Sequence, residues 1–486
     1  MKIRSIKFNF IMNAILAAST IVFPLITFPY ISRVLLVEGN GKIAFASSVV
    51  NYFSMIASLG IPTYGIRACA QVRGDKEKLS HTVQELLIIN MVTTGISLLA
   101  FLVSLVTVPQ FAAEKELMLI NGVSMVLATL GVTWLYSALE QYAYITVCSM
   151  AFKVIGIVLM FLFVKAPEDY IIYGAVSVVA GSGSYVLNLI NLRKYVSLKK
   201  NGKYNFRRHI KPIFVFFSMS AAINVYTNLD VVMLQFMQGD SAVGYYNTAI
   251  KIKVILTTLI TSLGTVLLPR LSYYTQMGQE EDFRRTVGKA ANFVMLLGTP
   301  LVIYFSMFAE ESIVFLAGEA FRRSTVSMII LMPAVLLIGL SNITGIQVLT
   351  PKNQEKKVLY SILWGAAIDF LLNLILIPRY SEAGAAVATL VAELAVLLIQ
   401  CVYLRYMLKG ILREISAGKM IAALICSTMA GVFLKLNLHV GLFMELLISA
   451  CGYFAIYAAI LLITREKLAM EVLGSVFGRI VKKRIP

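Results

Sequence analysis

Fourteen long apolar runs restrict what this chain can fold into more than any other feature of its sequence. Most are close to the ~20 residues that an α-helix needs to cross a hydrocarbon core, and only 14% of the 486 residues are charged. Hydrocarbon contains no water, so backbone N–H and C=O groups must pair within each run, which makes the runs helices. We therefore predict an all-α polytopic membrane protein with about 14 transmembrane helices. The runs cover residues 8–33, 43–66, 84–108, 117–139, 142–164, 170–192, 212–236, 243–269, 289–308, 325–349, 358–378, 383–404, 418–436 and 441–463.

The distribution of basic residues predicts the orientation of these helices. If the N-terminus is cytoplasmic, the cytoplasmic segments carry 32 of the 43 Lys and Arg residues and the outside loops carry 8. Such an excess is typical of cytoplasmic loops, so we expect both termini in the cytoplasm. The net charge of +18 then reflects topology and contact with anionic membrane lipids, and no nucleic-acid partner is expected.

The longest basic loop follows the sixth helix and predicts two lobes. At an offset of 203 residues, Gly41 matches Gly244 and Arg67 matches Arg270, each pair at the same place in its half. Two six-helix repeats in one orientation are related by an axis along the membrane normal, as in transporters with parallel repeats. The predicted parts are the N-lobe with helices 1–6 (1–192), a basic cytoplasmic linker (193–211), the C-lobe with helices 7–12 (212–407), two extra helices 13–14 (408–463) and a basic amphipathic cytoplasmic tail (464–486).

Motifs for catalysis or for a resident cofactor are missing from the sequence. It has no P-loop, no G-x-S-x-G elbow and no H-E-x-x-H. Its three histidines stand far apart, and its five cysteines form no C-x-x-C pair, so neither a metal site nor a disulfide framework is indicated. We expect a carrier rather than an enzyme, without cofactor. An integral enzyme stays open as an alternative, because intramembrane carboxylates can act as acids or bases.

Six ionisable residues inside the predicted helices are the candidate substrate-binding residues. Charges in hydrocarbon generally face a cavity or pair with one another; hydrogen-bonded packing is the alternative for each. Lys251 and Lys253 are two residues apart and cannot share one helix face, so one is expected to line the path and the other to reach the interface. The other four are Lys153, Asp369 and Glu393, predicted near the midplane, and Asp230, predicted in the outer third beside Asn224 and Asn228.

Two arginines at predicted cytoplasmic helix ends are candidates for binding phosphate. Arg67 and Arg270 are equivalent under the repeat, and a guanidinium group binds phosphate through two parallel hydrogen bonds. Together they would flank the mouth through which an anionic head group enters. The alternative is that they anchor their helix ends at the membrane interface.

Three segments carry a family resemblance: "FPYISRVLLVEGNGKIAFASSVVNYF" (28–53), "NLDVVMLQFM" with "AVGYYNTAIKI", and "NLILIPRYSEAGAAVATLVAE" (373–393). In this order they resemble the Wzx-type polysaccharide repeat-unit flippases of the multidrug/oligosaccharidyl-lipid/polysaccharide exporter (MOP) superfamily. The chain departs from the family pattern at three positions in these segments and at one position just before the third. Leu36 and Gln235 replace glycines, Asn40 replaces an aromatic residue, and Asp369 stands where asparagine is usual.

The resemblance implies a function in cell-surface polysaccharide biosynthesis (capsule, O-antigen or exopolysaccharide). Such a flippase moves undecaprenyl-diphosphate-linked oligosaccharide from the inner to the outer leaflet of the bacterial cytoplasmic membrane by alternating access. A polysaccharide polymerase is a possible partner, and H⁺ or Na⁺ a possible coupling ion. Two alternatives stay open: a lipid II flippase for peptidoglycan, and a drug or cation antiporter. The antiporter is less favoured because helix 1 carries no acidic residue.

Overall fold

Helices form almost all of the described chain. The computed structural model describes residues 6–199, 202–438 and 440–471, so most of the predicted amphipathic tail lies outside the described residues. Two short 3₁₀ turns, Pro167–Asp169 and Glu319–Phe321, and a π-helical segment, Ile343–Leu349, interrupt the α-helices. The α-helices are α1 Ile6–Ser58, α2 Ile61–Val72, α3 Lys76–Thr107, α4 Pro109–Ala113, α5 Lys115–Leu130, α6 Thr133–Ala138, α7 Tyr142–Phe163, α8 Tyr170–Ser182, α9 Ser184–Leu192, α10 Arg207–Gln238, α11 Asp240–Gln276, α12 Glu280–Met307, α13 Ala309–Ala317, α14 Ser324–Asn342, α15 Glu355–Tyr403, α16 Arg405–Arg413, α17 Ala417–Asn437 and α18 Leu442–Ile463.

The helix lengths agree with the predicted number of membrane crossings. In the described part of the chain, 11 helical stretches are long and apolar enough to cross a membrane, and α11, bent by 43°, makes 12. Two of these stretches contain α1 and α15, which have 53 and 49 residues. At 1.5 Å per residue each is longer than ~70 Å, more than twice the thickness of a hydrocarbon core. Each also contains one non-helical residue, Leu36 in α1 and Ser381 in α15. Each therefore supplies two crossings, which gives the fourteen that the sequence predicts.

The reversals between the first two and between the seventh and eighth crossings are built alike. Leu36 has φ 56° and ψ −167°, and Gly239 has φ 85° and ψ −174°. The two residues are 203 apart, which is the offset of the predicted repeat. This backbone conformation is almost restricted to glycine. It explains why the family pattern has a glycine where this chain has Leu36.

The contacts of the described residues divide the chain into two compact units, Met1–Asn247 and Thr248–Pro486. In the first unit, α1 packs against α3, α5, α7 and α10, and α2 packs against α6. In the second unit, α14 packs against α15 and α12, and α17 packs against α18. Helix α10, the first helix of the predicted C-lobe, packs against α1 and α2 in the first unit. The lobe ranges themselves remain a prediction.

Apolar side chains cover the outside of the helices as well as filling the interior. On α7, Val147, Val154 and Leu162 are each more than half exposed, whereas Gly156 and Met160 are buried. Soluble proteins rarely expose contiguous apolar surface of this extent. The exposed face of α7 is therefore suited to contact lipid acyl chains.

A buried carboxylate fixes the predicted linker to the third crossing. Glu85 of α3 is fully buried and accepts hydrogen bonds from the backbone N–H of Asn205 at 2.5 Å, from His209 Nε2 at 2.8 Å and from the guanidinium group of Arg208. Tyr64 of α2 also contacts the His209 ring, with 2.8 Å between its hydroxyl and Nδ1. The described part of the linker is therefore a docked segment, and it places the start of α10 against α2 and α3.

The second unit contains a similar anchor, but there the buried acid lies on the returning segment and not on the third crossing. Glu466, which follows α18, is fully buried. It accepts hydrogen bonds from Asn292 of α12 at 2.9 Å, from Ser416 at 3.1 Å and from the N–H of Ala469 at 2.7 Å. Helix α12 occupies the place in its half that α3 occupies in the first. In each half, a returning segment is thus fixed to the third crossing by one buried carboxylate.

The two reversal residues predict opposite effects of substitution. A Cβ added by Gly239→Ala meets no atom within 4 Å, so its cost is the backbone conformation alone. We expect the free energy of unfolding to fall by about 1–3 kcal/mol. Leu36→Gly removes the same strain, and Leu36 is 45% exposed, so little packing is lost and the unfolding temperature is expected to rise. Thermal unfolding in detergent measures both. An unchanged unfolding temperature for Gly239→Ala contradicts the assignment of strain.

Candidate functional site

Lys153 has a polar partner on the first crossing. It is half-buried on α7, and its Nζ donates a hydrogen bond to Ser19 Oγ at 2.7 Å. Ser19 itself donates to the carbonyl oxygen of Leu16 at 2.6 Å. The sequence analysis missed Ser19, although a serine in the middle of the first apolar run is a signal that could have found it. The hydroxyl group is neutral, so this hydrogen bond does not compensate the positive charge of the lysine.

Asp230 lies inside the first unit against a tyrosine from the next helix. The residue is 6% exposed, and the Tyr246 hydroxyl donates a hydrogen bond to Asp230 Oδ2. The two asparagines that suggested a polar patch use their side chains locally: Asn224 donates to the carbonyl oxygen of Ser220 at 3.0 Å, and Asn228 donates to that of Asn224 at 3.1 Å. Tyr246 was not among the predicted residues. Finding it requires the register of the reversal at Gly239, which places residues 16 apart side by side.

The two lysines of α11 are similarly placed with respect to solvent. Lys251 and Lys253 are both half-buried, and Ile252 between them is 3% exposed. Their spacing still directs them to different sides of the helix. Which of them faces a transport path remains a prediction.

Asp369 and Glu393 occupy matching positions on the two arms of α15. Asp369 precedes the kink residue Ser381 by twelve positions and Glu393 follows it by twelve, so each lies about 18 Å along its arm from the reversal. Both are buried, at 1% and 7% exposure. Asn373 donates a hydrogen bond to Asp369 Oδ2 at 3.3 Å. The kink thus places the two predicted acids at a common depth.

A buried polar cluster in the second unit was missed by the sequence analysis. Gln400 of α15 accepts a hydrogen bond from the Thr344 hydroxyl at 2.6 Å and donates to Ser361 Oγ at 3.0 Å. Thr344 lies in the π-helical segment, and such segments often occur at functional sites. Gly345, next to Thr344, leaves room for the amide: a Cβ there would lie 3.0 Å from Gln400 Nε2. A glutamine in an apolar run was the available signal.

The two predicted phosphate-binding arginines differ in their surroundings. Both are exposed, Arg67 on α2 and Arg270 on α11. The guanidinium group of Arg270 donates to the Tyr274 hydroxyl at 2.8 Å and lies 5.5 Å from the centre of the same ring. Exposed arginines suit phosphate binding and also the anchoring of helix ends at the membrane interface, so the role of both residues remains a prediction.

Three residues that were not predicted, Ser19, Tyr246 and Tyr274, each contact one predicted site residue. Asn373, which the sequence places one turn from Asp369, contacts it as expected for hydrogen-bonded packing. In the described part of the chain, no group of three or more His, Cys, Asp or Glu residues could hold a metal ion. The arrangement offers separate buried charges and hydroxyl groups within the helices, which suits recognition of a polar cargo.

Comparison with known protein families finds one model that matches more than half of the chain. Residues 7–275 match the family described as polysaccharide biosynthesis protein. A protein of Escherichia coli (strain K12), named as a candidate O-antigen transporter, is 24% identical over 415 residues, which is 82% of this chain and 97% of that protein.

Two solved structures share the fold. The lipid II flippase MurJ in an inward closed conformation superposes with a TM-score of 0.65 and 15% identity over 91% of this chain and 99% of that one. An inward-facing multidrug transporter of the MATE family, in the MOP superfamily, superposes with a TM-score of 0.60 and 12% identity over 81% of this chain and 99% of that one. The predicted all-α fold class is confirmed.

Asp230 is expected to serve transport beyond its contact with Tyr246. Asp230→Asn keeps an oxygen that can accept the Tyr246 hydrogen bond, so we expect normal amounts of protein in the membrane and reduced polysaccharide export; Asp230→Ala should also reduce export. Tyr246→Phe is the matched variant, because it keeps the carboxylate and removes its donor. Loss of a hydrogen bond to a charged group costs about 1.5–3 kcal/mol, so this variant should unfold at a lower temperature. Wild-type export by Asp230→Asn would restrict the residue to packing.

Lys153 is expected to act through its charge. Lys153→Ala should reduce export several-fold without changing the amount of protein in the membrane. Ser19→Ala removes the hydroxyl that receives the Lys153 hydrogen bond and leaves the ammonium group in place, so export should fall less. Surface polysaccharide measured against membrane protein level tests both. Equal export by the wild type and Lys153→Ala would exclude Lys153 from the path.

Proposed function

Because the chain belongs to the polysaccharide biosynthesis protein family, we propose that it is a Wzx-type flippase for lipid-linked oligosaccharide repeat units. It moves undecaprenyl-diphosphate-linked oligosaccharide from the inner to the outer leaflet of the bacterial cytoplasmic membrane, for cell-surface polysaccharide. The observation that carries this proposal is the likeness to the O-antigen transport relative, which spans 82% of the chain. The MurJ and MATE likenesses support the fold on which such transport depends.

The charges in the membrane helices support an anionic cargo. Lys153, Lys251 and Lys253 supply positive charge within the helices, and cations of this kind mark substrate pathways. An inside-negative potential favours exit of an anion by about 2.3 kcal/mol per charge per 100 mV. A diphosphate with roughly two charges gains about 4.6 kcal/mol on leaving. This bias is large enough to drive net export if the cargo leaves as an anion.

An apolar groove on the second unit suits the lipid part of such a cargo. It has a volume of about 700 Å³ and is open to the surroundings along α12 and α17. A prenyl chain can lie in this groove without leaving the lipid phase, and van der Waals packing against the lining side chains is what would hold it there. Its lining residues are Ile303, Leu424, Ile425, Thr428, Met429, Val432, Phe433 and Leu436.

Several finer parts of the proposal rest on the sequence alone. Both termini are cytoplasmic, and the chain works as a carrier without catalysing a reaction or binding a cofactor. Two buried acids on α15, Asp369 and Glu393, are the candidates for coupling to H⁺ or Na⁺. A polysaccharide polymerase is the expected downstream partner, because exported repeat units must be joined on the outer face.

Depletion of the protein tests the cargo directly. Undecaprenyl-linked intermediates are profiled by mass spectrometry, and their leaflet is determined with an impermeant reagent. We expect a complete oligosaccharide repeat to accumulate in the inner leaflet while surface polysaccharide is lost. Accumulation of lipid II with arrested wall synthesis would instead assign the chain to peptidoglycan precursor transport. No change in either pool would contradict a lipid-linked cargo and favour drug or cation transport.

A further inference from the structure

The start of α12 carries a basic residue where the equivalent helix α3 carries a buried acid. The segments 77–83 and 281–287 share a glutamate, a threonine and a valine at an offset of 204 residues. At the same offset, Lys289 takes the place of Glu85, which binds the basic end of the linker through Arg208. The charge at this place is thus reversed between the halves. A group that binds here in the second unit is therefore expected to be negative.

Two adjoining cavities lie at this place, between α12, α16 and the segment that follows α18. Their volumes are about 110 and 420 Å³, and Arg285 and Glu414 line both of them. Lys289 lines the smaller cavity, and Arg284 and Gly410 line the larger one. A Cβ on Gly410 would meet no atom within 4 Å, so this glycine leaves the larger cavity open. The basic groups therefore surround a space that can hold a ligand.

The two arginines at these cavities have no acidic partner. Lys289 is paired with Glu471, with 2.8 Å between Nζ and Oε1. In the described part of the chain, no side chain forms an ion pair or a hydrogen bond with the side chain of Arg284 or Arg285. Residues 472–486 contain neither Asp nor Glu, so they supply no carboxylate side chain either. Both guanidinium groups are thus available to an external anion.

The composition of the lining indicates what kind of anion fits. Among the described residues that line the two cavities, four are basic and three are acidic, so one negative charge would balance them. Guanidinium groups bind phosphate through two parallel hydrogen bonds, and Arg284 and Arg285 both line the larger cavity. The carboxylates of Glu281 and Glu414 can accept hydrogen bonds from hydroxyl groups of the same ligand. This chemistry suits a phosphodiester that also carries free hydroxyl groups.

The cavities lie at the depth of the lipid head groups. Arg284 precedes the predicted ninth crossing, 289–308, by five residues, which is about 7 Å along α12. The polar layer on each side of a hydrocarbon core is about 5–8 Å thick. Helix α16 follows α15 after one residue; it buries Met407 and Ile411 and exposes Tyr406, a residue type that is enriched at membrane interfaces. A phosphodiester at this depth belongs to a membrane lipid.

We propose that the two cavities bind the head group of an anionic glycerophospholipid with free hydroxyl groups, such as phosphatidylglycerol. The phosphate lies between Arg284 and Arg285, and the head-group hydroxyls donate hydrogen bonds to Glu414. The predicted orientation places this lipid in the leaflet that faces the cytoplasm. The site contains none of the candidate cargo residues, so it goes beyond the proposed function and does not depend on it. A lipid bound here would join α12 to α16 at the membrane surface.

Native mass spectrometry of the purified full-length protein tests the site. The protein in detergent is titrated with phosphatidylglycerol and, separately, with phosphatidylethanolamine that has the same acyl chains. We expect the wild type to hold several-fold more phosphatidylglycerol. Arg284→Gln/Arg285→Gln should lose this preference. Gly410→Leu should reduce binding with all charges in place, because the leucine fills the larger cavity; leucine favours a helix more than glycine does, so α16 should stay folded.

Arg193→Gln/Lys194→Gln is the matched control, since it removes two adjacent exposed basic residues at the end of α9. It should bind phosphatidylglycerol as the wild type does. An equal loss in this control and in Arg284→Gln/Arg285→Gln would indicate general attraction of anionic lipid to a basic surface and would overturn the site. Equal binding of the two lipids by the wild type overturns it as well.

Two further outcomes separate the lipid from other ligands and other roles. If inorganic pyrophosphate binds to the wild type and excludes phosphatidylglycerol, the cavities take a soluble phosphate and the lipid assignment fails. Normal phosphatidylglycerol binding by both Arg284→Gln/Arg285→Gln and Gly410→Leu also contradicts the proposal. None of these measurements involves the cargo, so a failure here leaves the proposed function intact.

Discussion

The absence of water from the membrane interior is the constraint on which the other features of this structure depend. Every backbone N–H and C=O group within the hydrocarbon needs a partner inside the protein, so the chain can leave the helical conformation only at reversals. Leu36, Gly239 and Ser381 make three of these reversals with single residues of positive φ. A one-residue break costs few backbone hydrogen bonds, and it keeps consecutive crossings antiparallel and adjacent.

The same constraint applies to the two buried carboxylates that anchor returning segments. Glu85 and Glu466 are both fully buried. Glu85 accepts its hydrogen bonds from the linker, and Glu466 accepts one from Asn292 on the third crossing of its half. Their roles are reversed, because Glu85 belongs to the crossing and Glu466 to the returning segment. Both anchors thus hold the third crossing of their half, but the segments that they fix are not equivalent in the repeat, because Glu466 follows the two extra helices. Such a pair leaves no identity for a sequence comparison of the two halves to detect.

How far the sequence predicts this protein depends on the range of the interaction. The crossings follow from local composition, and the repeat was visible in Gly41 and Gly244 because backbone contact tolerates one residue type only. The partner of Asp230 was not predictable, since Tyr246 meets it through the register of a reversal. The docking of the linker was missed for a similar reason. Nothing in the sequence around Glu85 indicates that Arg208, 123 residues further along the chain, lies beside it. Local patterns therefore predict the elements, and tertiary contacts decide what each polar residue does.

Helix α10 connects these observations. Its position in the repeat makes it the first helix of the second half. Its contacts with α1 and α2, however, place it in the first unit. At one end Arg208 forms an ion pair with the buried Glu85, and at the other the Phe236 ring packs against the rings of Phe45 and Phe111, with centroids 6.2 and 6.1 Å apart. Asp230 lies near this second end and accepts a hydrogen bond from Tyr246, so the surroundings of a buried acid depend on how α10 packs against the helix that follows it.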